Sequence, residues 1–497
     1  FRGNSNGSCL SDEDNRGVLE KFYDALGGPS WKTATNWKSS KSPCTWFGVG
    51  CVNGQVVSLI LSDNNLVGEI PDDLSNLRIL ETVKLSSNSI GSLPRNMDKL
   101  ALLTHLDVSL NAIKGAFPSD LTDLGNLVHL NMSHNRFTGA LPSTWGNNGA
   151  AALKVFSVAG NMLSGDIPAY TAQWEQLETF DVSANEFSGG LPTTMFSLPK
   201  LTVLNLAANA FEDVFPSLAN LSVIASLDFS ENKITGNISE TLCTRYTLQV
   251  FQAGMCEISG SIPSCLGNLS RLVTFSVPGN AISGNLSDIY STMVSLKTLD
   301  VSANSLGGNL PASLFNGMLE TVRLRGNHFQ GPVPANLNDK IITLDLSDNK
   351  FSGTYPGWAG ATNLVNVGLA GLKDMSGAMP ASLNSLPLEG LDLSSSSVGG
   401  SFPSDNNWKT MTVLKLSYTN MDIQLTEKIC SMTALKSLGL RKVSLTGEVP
   451  RCLFDLQNLE SLDLGNNNLS SISPMIELPK LKVLKADNVD AVVLVPV

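Results

Sequence analysis

A unit of about 24 residues recurs along nearly the whole chain, and it constrains the fold more than any other feature. Its pattern is L-x-x-L-x-L-x-x-N-x-L-x-G-x-I-P-x-x-L-x-x-L, as in the segment LVHLNMSHNRFTGALPSTW. One such coil cannot bury its apolar side alone, so the repeat predicts coils stacked against one another. The asparagine of the pattern recurs at Asn64, Asn88, Asn111, Asn135, Asn161, Asn185, Asn209, Asn232, Asn280, Asn304, Asn327, Asn349 and Asn467.

Each position of the repeat has a mechanical role. The L-x-L core predicts a short strand whose leucines point inward, while the residues between them face solvent on a concave side. The asparagine, called the ladder residue below, is expected to turn inward and bond the backbone of the turn that follows. Proline then marks a coil corner, and the last x-x-L-x-x-L predicts a short helical or 3₁₀ turn on the convex side.

Counting ladder positions gives about 18 coils between Val56 and Leu478. The pattern is irregular around Gly371 to Met375, where the ladder asparagine is missing. In the next three coils the ladder residue is not asparagine but Ser396, Thr419 or Val443. We expect a local change of curvature there.

The first 55 residues do not repeat and are expected to cover one end of the core. The segment SDEDNRGVLEKFYDAL predicts an amphipathic helix with Ser11 as N-cap and with Val18, Leu19, Phe22 and Leu26 on its buried face. The stretch NWKSSKSPCTWFGVGC then closely resembles the N-terminal cap of plant-specific-type leucine-rich-repeat extracellular proteins, and the repeats resemble the same family.

This resemblance implies an α/β solenoid, a right-handed leucine-rich-repeat superhelix with a parallel concave β-sheet. Residues 1–55 would be the N-terminal cap, with a helix and a Cys-paired loop, and residues 56–497 the solenoid, whose C-terminal end has no visible cap. The family includes ectodomains of plant receptor kinases and receptor-like proteins, inhibitors of cell-wall polygalacturonases, and surface proteins of algae and protists.

Charge and hydropathy limit the kinds of partner and the cellular location that are expected for this chain. A net charge of -11 and a pI near 4.9 argue against nucleic acid and anionic membrane surfaces as partners. The longest apolar runs are far shorter than the roughly 20 residues of a bilayer span, so no direct membrane insertion is expected. Because the chain begins at Phe1, we expect a mature form that has lost a signal peptide.

The register of the repeats predicts how six of the eight cysteines pair. Cys243 and Cys265 occupy equivalent positions in adjacent coils, and so do Cys430 and Cys452, so each pair should clamp two coils on the convex side. A third bridge, between Cys44 and Cys51, should close the cap. Such use of cysteine predicts an oxidising, extracellular location.

Two cysteines lie outside these bridges. Cys256 occupies a ladder position and is expected to be a buried thiol. Cys9, in the cap, is expected to be an unpaired surface thiol or a link between chains. Together with the apolar C-terminal end, it suggests self-association through the chain ends.

A P-loop, H-E-x-x-H and C-x-x-C are all absent, and the match to a nucleophile-elbow string, GNSNG at Gly3 to Gly7, lies where no strand is predicted. We therefore expect no enzyme and no cofactor. One column of the predicted sheet does carry repeated aspartates, which we interpret as solvated consensus residues: Asp107, Asp181, Asp228, Asp300, Asp345, Asp392 and Asp463.

A histidine cluster is the main candidate for a local site. His105 and His129 occupy the same concave position in consecutive coils, about 4.8 Å apart. With Asp107 they could act as metal ligands, although solvated surface is the favoured interpretation. As a partner-contact patch the cluster would comprise His105, Asp107, His129, Asn131 and His134.

Several N-x-S sequons predict glycosylation in a eukaryotic host. Those within the repeats are Asn131, Asn220, Asn237, Asn268, Asn285 and Asn468.

The leading functional hypothesis is an extracellular or cell-surface recognition or adhesion module that binds a protein or glycan partner along an extended surface. The first alternative is a structural subunit of an extracellular coat or filament. The second is an inhibitor of a secreted cell-wall hydrolase, for which the predicted concave face has few charged or aromatic anchors.

Overall fold

The computed structural model describes residues 12–143, 145, 151–191, 193–402, 408–423, 427–471 and 478–487. The chain divides into two compact units, Phe1–Thr235 and Gly236–Val497. The repeat pattern runs through this division without interruption, so the sequence does not predict it.

The N-terminal unit begins with the predicted cap helix, Asp12–Ala25. Val18, Leu19, Phe22 and Leu26 are all buried, which confirms the predicted apolar face. They pack under a cluster of aromatic rings that includes Trp31, Trp37 and Trp46. The proposed N-cap, Ser11, lies outside the described residues.

Each unit contains one long sheet, called its main sheet below. In the N-terminal unit all neighbouring strands are parallel except the first pair, an antiparallel hairpin. Its strands are Val49–Val52, Gln55–Ile60, Thr82–Lys84, His105–Asp107, His129–Asn131, Val155–Ser157, Thr179–Asp181, Val203–Asn205 and Ser226–Asp228.

The main sheet of the C-terminal unit is parallel throughout the described strands. Its strands are Val250–Gln252, Thr274–Ser276, Thr298–Asp300, Thr321–Arg323, Thr343–Asp345, Asn366–Gly368, Gly390–Asp392, Val413–Lys415, Ser437–Gly439, Ser461–Asp463 and Val483–Lys485.

A second set of short strands follows the ladder positions. They are Val67–Glu69, Ser89–Ser92, Lys114–Ala116, Arg136–Gly139, Met162–Gly165, Glu186–Gly189, Ala210–Val214, Lys233–Asn237, Glu257–Ser259, Ser283–Asn285, Ser305–Asn309, His328–Pro332, Lys350–Thr354, Met375–Ser376, Gly399–Ser401, Asn420–Asp422, Thr446–Glu448 and Asn468–Ser471.

Short helical turns complete many coils, as the sequence predicts. One is a single α-helical turn, Glu427–Cys430. The others are 3₁₀ turns, at Asp72–Asn76, Met97–Lys99, Ser119–Asp123, Ala169–Gln173, Thr193–Ser197, Glu240–Thr244, Ser264–Asn268, Ala381–Ser385 and Arg451–Asp455. Two more 3₁₀ turns lie in the cap, at Gly28–Ser30 and Pro43–Thr45. No helix within the described residues is long and apolar enough to cross a membrane.

The ladder asparagines tie consecutive coils together. The Nδ2 of Asn304 donates to Val277 O of the preceding coil (2.9 Å) and to Val301 O of its own coil (3.1 Å), and its Oδ1 accepts from Ile282 N (3.0 Å). These partners precede the asparagine in the chain, whereas we expected them in the turn that follows. In two of the irregular coils a hydroxyl replaces the amide: Ser396 Oγ donates to Leu393 O and Thr419 Oγ1 donates to Leu416 O, each within its own coil.

The residue before each ladder position has left-handed backbone geometry. Leu110 (φ 54°), His134 (φ 52°) and Tyr418 (φ 60°) are examples. Such a φ is uncommon for residues other than glycine, so the tight turn into the ladder position imposes it coil after coil.

Candidate ligand-binding face

The histidine cluster lies on the main sheet of the N-terminal unit. His105 and His129 are register partners, and their rings are stacked with centroids 5.9 Å apart. The Nδ1 of His105 lies 2.9 Å from the hydroxyl of Thr104. The structure therefore brings these two predicted site residues together.

The other three members of the predicted patch make contacts within or beside their own coils. Asp107 Oδ1 accepts bonds from the backbone N and the hydroxyl of Ser109, and Asn131 Oδ1 accepts the same pair from Ser133. The ring of His134 lies over Gly160, where a Cβ would approach its Nδ1 to 2.6 Å.

The described residues contain no group of three His, Cys, Asp or Glu side chains placed to hold a metal ion. The packing around the histidine pair instead affects the protonation of His129. Burial lowers the pKa of His129 below its usual value, the charges of His105 and Lys84 act in the same direction, and Asp107 opposes them.

The repeated aspartates have a structural role. In all seven, Oδ1 accepts the backbone N–H two residues further on, at 2.9–3.1 Å, as in Asp107 with Ser109 and Asp463 with Gly465. This bond caps the turn after each strand, so the column holds the coil instead of forming a catalytic array.

The cysteines pair as the register predicts. The structure contains the bridges Cys44–Cys51, Cys243–Cys265 and Cys430–Cys452, with Cα atoms 5.5–5.6 Å apart. Cys256 is buried, and its thiol lies 3.5 Å from Gly254 O. Cys9 lies outside the described residues.

The sequons differ in accessibility. Asn220, Asn237, Asn268, Asn285 and Asn468 are exposed. Asn131 is half-buried on the main sheet and is bonded to Ser133 of its own sequon.

The C-terminal unit carries the better-formed site, on the outward side of its main sheet, called the main-sheet face below. In the strands between Thr298 and Lys485, the third residue of each is either charged or glycine. In chain order these residues are Asp300, Arg323, Asp345, Gly368, Asp392, Lys415, Gly439, Asp463 and Lys485. Depressions lie over both glycines, because neither has a side chain to fill the space.

The depression over Gly368 has a volume of about 230 Å³. It lies between two strands that end in carboxylates, Asp345 and Asp392, and Arg323 and Asn366 also line it. Asp345 leans into it, since a Cβ at Gly368 would lie 2.4 Å from Asp345 Oδ1.

The depression over Gly439 has a volume of about 180 Å³ and a different character. Lys415 and Lys485 line it, together with the hydroxyls of Ser437 and Ser461. Its carboxylate, Asp463, already has partners in Arg441 at 3.6 Å and Gly465 N at 3.1 Å.

A tyrosine and two basic residues lie beside the second depression. Arg441 Nε donates to the hydroxyl of Tyr418 at 3.0 Å, and Lys442 Nζ is 5.9 Å from the centre of the same ring. Tyr418 is 47% exposed, so one aromatic surface is available to a ligand.

Our sequence interpretation placed the candidate patch on the histidines and missed both depressions. The signal was present in the register: Gly368 and Gly439 occupy a position where the neighbouring coils have aspartate or lysine. In the sequence, a glycine at this position suggests poor ligand contact because it has no side chain. In the structure, the missing side chain leaves space for a ligand.

The comparisons with known proteins agree with this fold. A family model described as "Leucine rich repeat" matches residues 80–137, and a second, described as "Leucine Rich Repeat", matches residues 55–77, 295–316 and 458–477.

Curated relatives come from Arabidopsis thaliana. Receptor-like protein 54 is 32% identical over 142 residues, which is 28% of this chain and 18% of that protein. Leucine-rich repeat receptor protein kinase EMS1 is 40% identical over 68 residues, 14% of this chain and 6% of that protein. The chain thus spans less than a fifth of the length of either relative.

A solved structure matches far more of the chain. The leucine-rich-repeat ectodomain of the Arabidopsis receptor kinase HAESA, crystallised with an extended IDA peptide hormone, aligns with a TM-score of 0.76 and 29% identity. The match covers 97% of this chain and 86% of that one. The chain is therefore a leucine-rich-repeat solenoid similar to the ectodomain of a plant receptor kinase and, over part of its length, to a plant receptor-like protein.

Proposed function

We propose that this chain is a non-catalytic recognition module of the cell exterior or cell surface, and that it binds a peptide or protein ligand on the main-sheet face of the C-terminal unit. The alignment over nearly the whole chain with a peptide-bound ectodomain carries this proposal. Three disulfides support the oxidising location.

The geometry of the face favours a peptide over a glycan. Sugar rings are held mainly by exposed aromatic faces, and Tyr418 is the aromatic residue exposed on the described part of this face. Charged groups and hydroxyls beside two depressions instead suit the polar backbone and charged side chains of an extended peptide.

The test is an unbiased binding selection. The purified chain is presented with a display library of random peptides and with an array of cell-wall oligosaccharides. The affinity of each ligand found is then measured by calorimetry. We expect peptide ligands with affinities in the micromolar range or better.

Two variants locate the site. Gly439→Phe fills a depression, and we expect it to abolish binding. Gly360→Phe is the matched control, because this exposed glycine of the same unit has open space around a Cβ. A selection that yields only oligosaccharides, or ligands equally insensitive to both variants, would overturn the proposal.

A further inference from the structure

We infer that the ligand of the main-sheet face is an extended peptide with a basic group and an acidic group about four residues apart. This inference rests on the proposed function and specifies the chemistry of its ligand. It begins with the charges of the third-residue column that make no ion pair; of these, Lys485 lies close enough to the carboxylate of Asp487 to attract it.

Most charges in the third-residue column of the C-terminal unit are paired. Arg323 lies 3.9 Å from Asp300, and Lys415 lies 3.6 Å from Asp392. Asp463 has Arg441 as its partner. Within the described residues, the members of the column between Asp300 and Lys485 that make no ion pair are Asp345 and Lys485.

Each of these two charges lies at a different depression. Asp345 extends its carboxylate over Gly368, and Asp392 flanks the same space from the other side. The two aspartates are two strand spacings apart, roughly 10 Å. A lysine or arginine side chain of a ligand placed over Gly368 would therefore lie within about 5 Å of both carboxylates. Arg323 lines the same depression, and its charge is paired with Asp300.

Lys485 lies at the depression over Gly439, with Lys415 on the opposite side. Ser437 and Ser461 line the same space, and Asp463 shares the guanidinium of Arg441 with Asp487. Ammonium and hydroxyl donors around one space are the groups that bind a carboxylate. An acidic side chain or a C-terminal carboxylate fits this end.

The spacing of the two depressions sets the spacing of the ligand's charges. Gly368 and Gly439 are separated by three strand steps, about 14 Å at 4.8 Å per step. An extended peptide advances about 3.4 Å per residue, so four residues cover this distance. The ligand crosses the strands and presents opposite charges at positions i and i+4.

Synthetic peptides test the inference directly. Fluorescence anisotropy compares two peptides that have a lysine and an aspartate four positions apart, in either order, with a peptide of the same composition whose charges are two positions apart. We expect one order of the four-residue spacing to bind at least tenfold more tightly than the two-residue control.

The protein variants are chosen to preserve the fold. Asp345→Asn keeps an oxygen for the N–H of Ser347, which Asp345 accepts at 3.0 Å, and Lys485→Gln removes the second unpaired charge. Each is expected to weaken the preferred peptide about fivefold. Asp181→Asn is the control, because Asp181 makes the equivalent bond to Ser183 in the other unit.

The outcomes separate the two proposals. If the peptide selection yields ligands whose affinity is unaffected by Asp345→Asn and Lys485→Gln and by charge spacing, the present inference is wrong and the proposed function stands. If no peptide binds in either experiment, both are wrong.

Discussion

The guanidinium of Arg441 reaches across an entire coil to bind the carboxylate of Asp487. The two residues are 46 positions apart, and the Nη1–Oδ1 distance is 2.7 Å. Gly465 occupies the equivalent position in the coil between them, where a Cβ would lie 2.5 Å from Asp487 Oδ1 and 2.6 Å from the Nη1 of Arg441. The bridge therefore exists because the intervening coil has no side chain at that position.

This bridge should hold the last described strand of the main sheet, Val483–Lys485. Arg441→Gln and Gly465→Val both interrupt it, and we expect faster amide hydrogen exchange in residues 482–487 in both variants. Lys482→Gln serves as control, since it removes only the exposed ion pair with Glu460. Equal exchange in all three variants would contradict a role for the bridge.

The histidine pair should make the N-terminal unit sensitive to acid. Burial lowers the pKa of His129, so the unfolded chain binds a proton more readily than the folded one. The unit is then most stable above the ordinary histidine pKa, and it loses stability as pH falls through that range. We expect unfolding midpoints measured from pH 7.5 to 5 to fall less steeply in His129→Asn than in the parent protein.

His328→Gln provides the comparison for this series, because His328 is an exposed residue of a second-set strand. Its pH profile should follow that of the parent. If the unfolding midpoint of the parent protein rises as the pH is lowered from 7.5 to 5, the predicted direction of the pH dependence is wrong.

The ladder residues should differ in their contribution to stability. Asn304→Ala would leave buried backbone groups of two coils without partners, and we expect a loss of about 3 kcal/mol. Ser396→Ala removes a single bond within one coil, so the loss should be about 1 kcal/mol. Native-state hydrogen exchange of the adjacent coils measures both.

Glycan occupancy should follow the accessibility of the sequons. In protein secreted from a eukaryotic host, we expect glycans on several of the exposed residues Asn220, Asn237, Asn268, Asn285 and Asn468. Asn131 should be the least occupied, because its side chain is bonded within the main sheet. Glycopeptide mass spectrometry measures the occupancy of each sequon. Full occupancy at Asn131 together with bare exposed sequons would refute the prediction.

The repeating parts of the fold were the parts that the sequence could predict. Regular spacing of leucine and asparagine determined the strands, the 3₁₀ turns and the coil equivalences that pair Cys243 with Cys265. These features depend on contacts between residues in the same register, which one aligned sequence displays directly.

The candidate site was harder to predict from the sequence, because it is formed at strand positions where the side chain is missing. His105 and His129 drew attention as conspicuous residues, yet Gly368 and Gly439 shape the depressions. Asp392 is paired with Lys415 whereas Asp345 makes no ion pair, and this difference depends on side-chain directions that no spacing rule gives. The division after Thr235 likewise leaves no mark on the repeat.

The outward third residue of each main-sheet strand makes little contribution to the buried core, since the middle residue of the strand supplies the apolar contact. At Gly439, where the nearest atom to an added Cβ would be the hydroxyl of Ser417 at 3.2 Å, a single substitution can exchange a depression for a charge while the apolar core of the coil is kept. At such a position the face can change the ligand that it accepts, while the stability of the coil still comes from the buried middle residue of the strand.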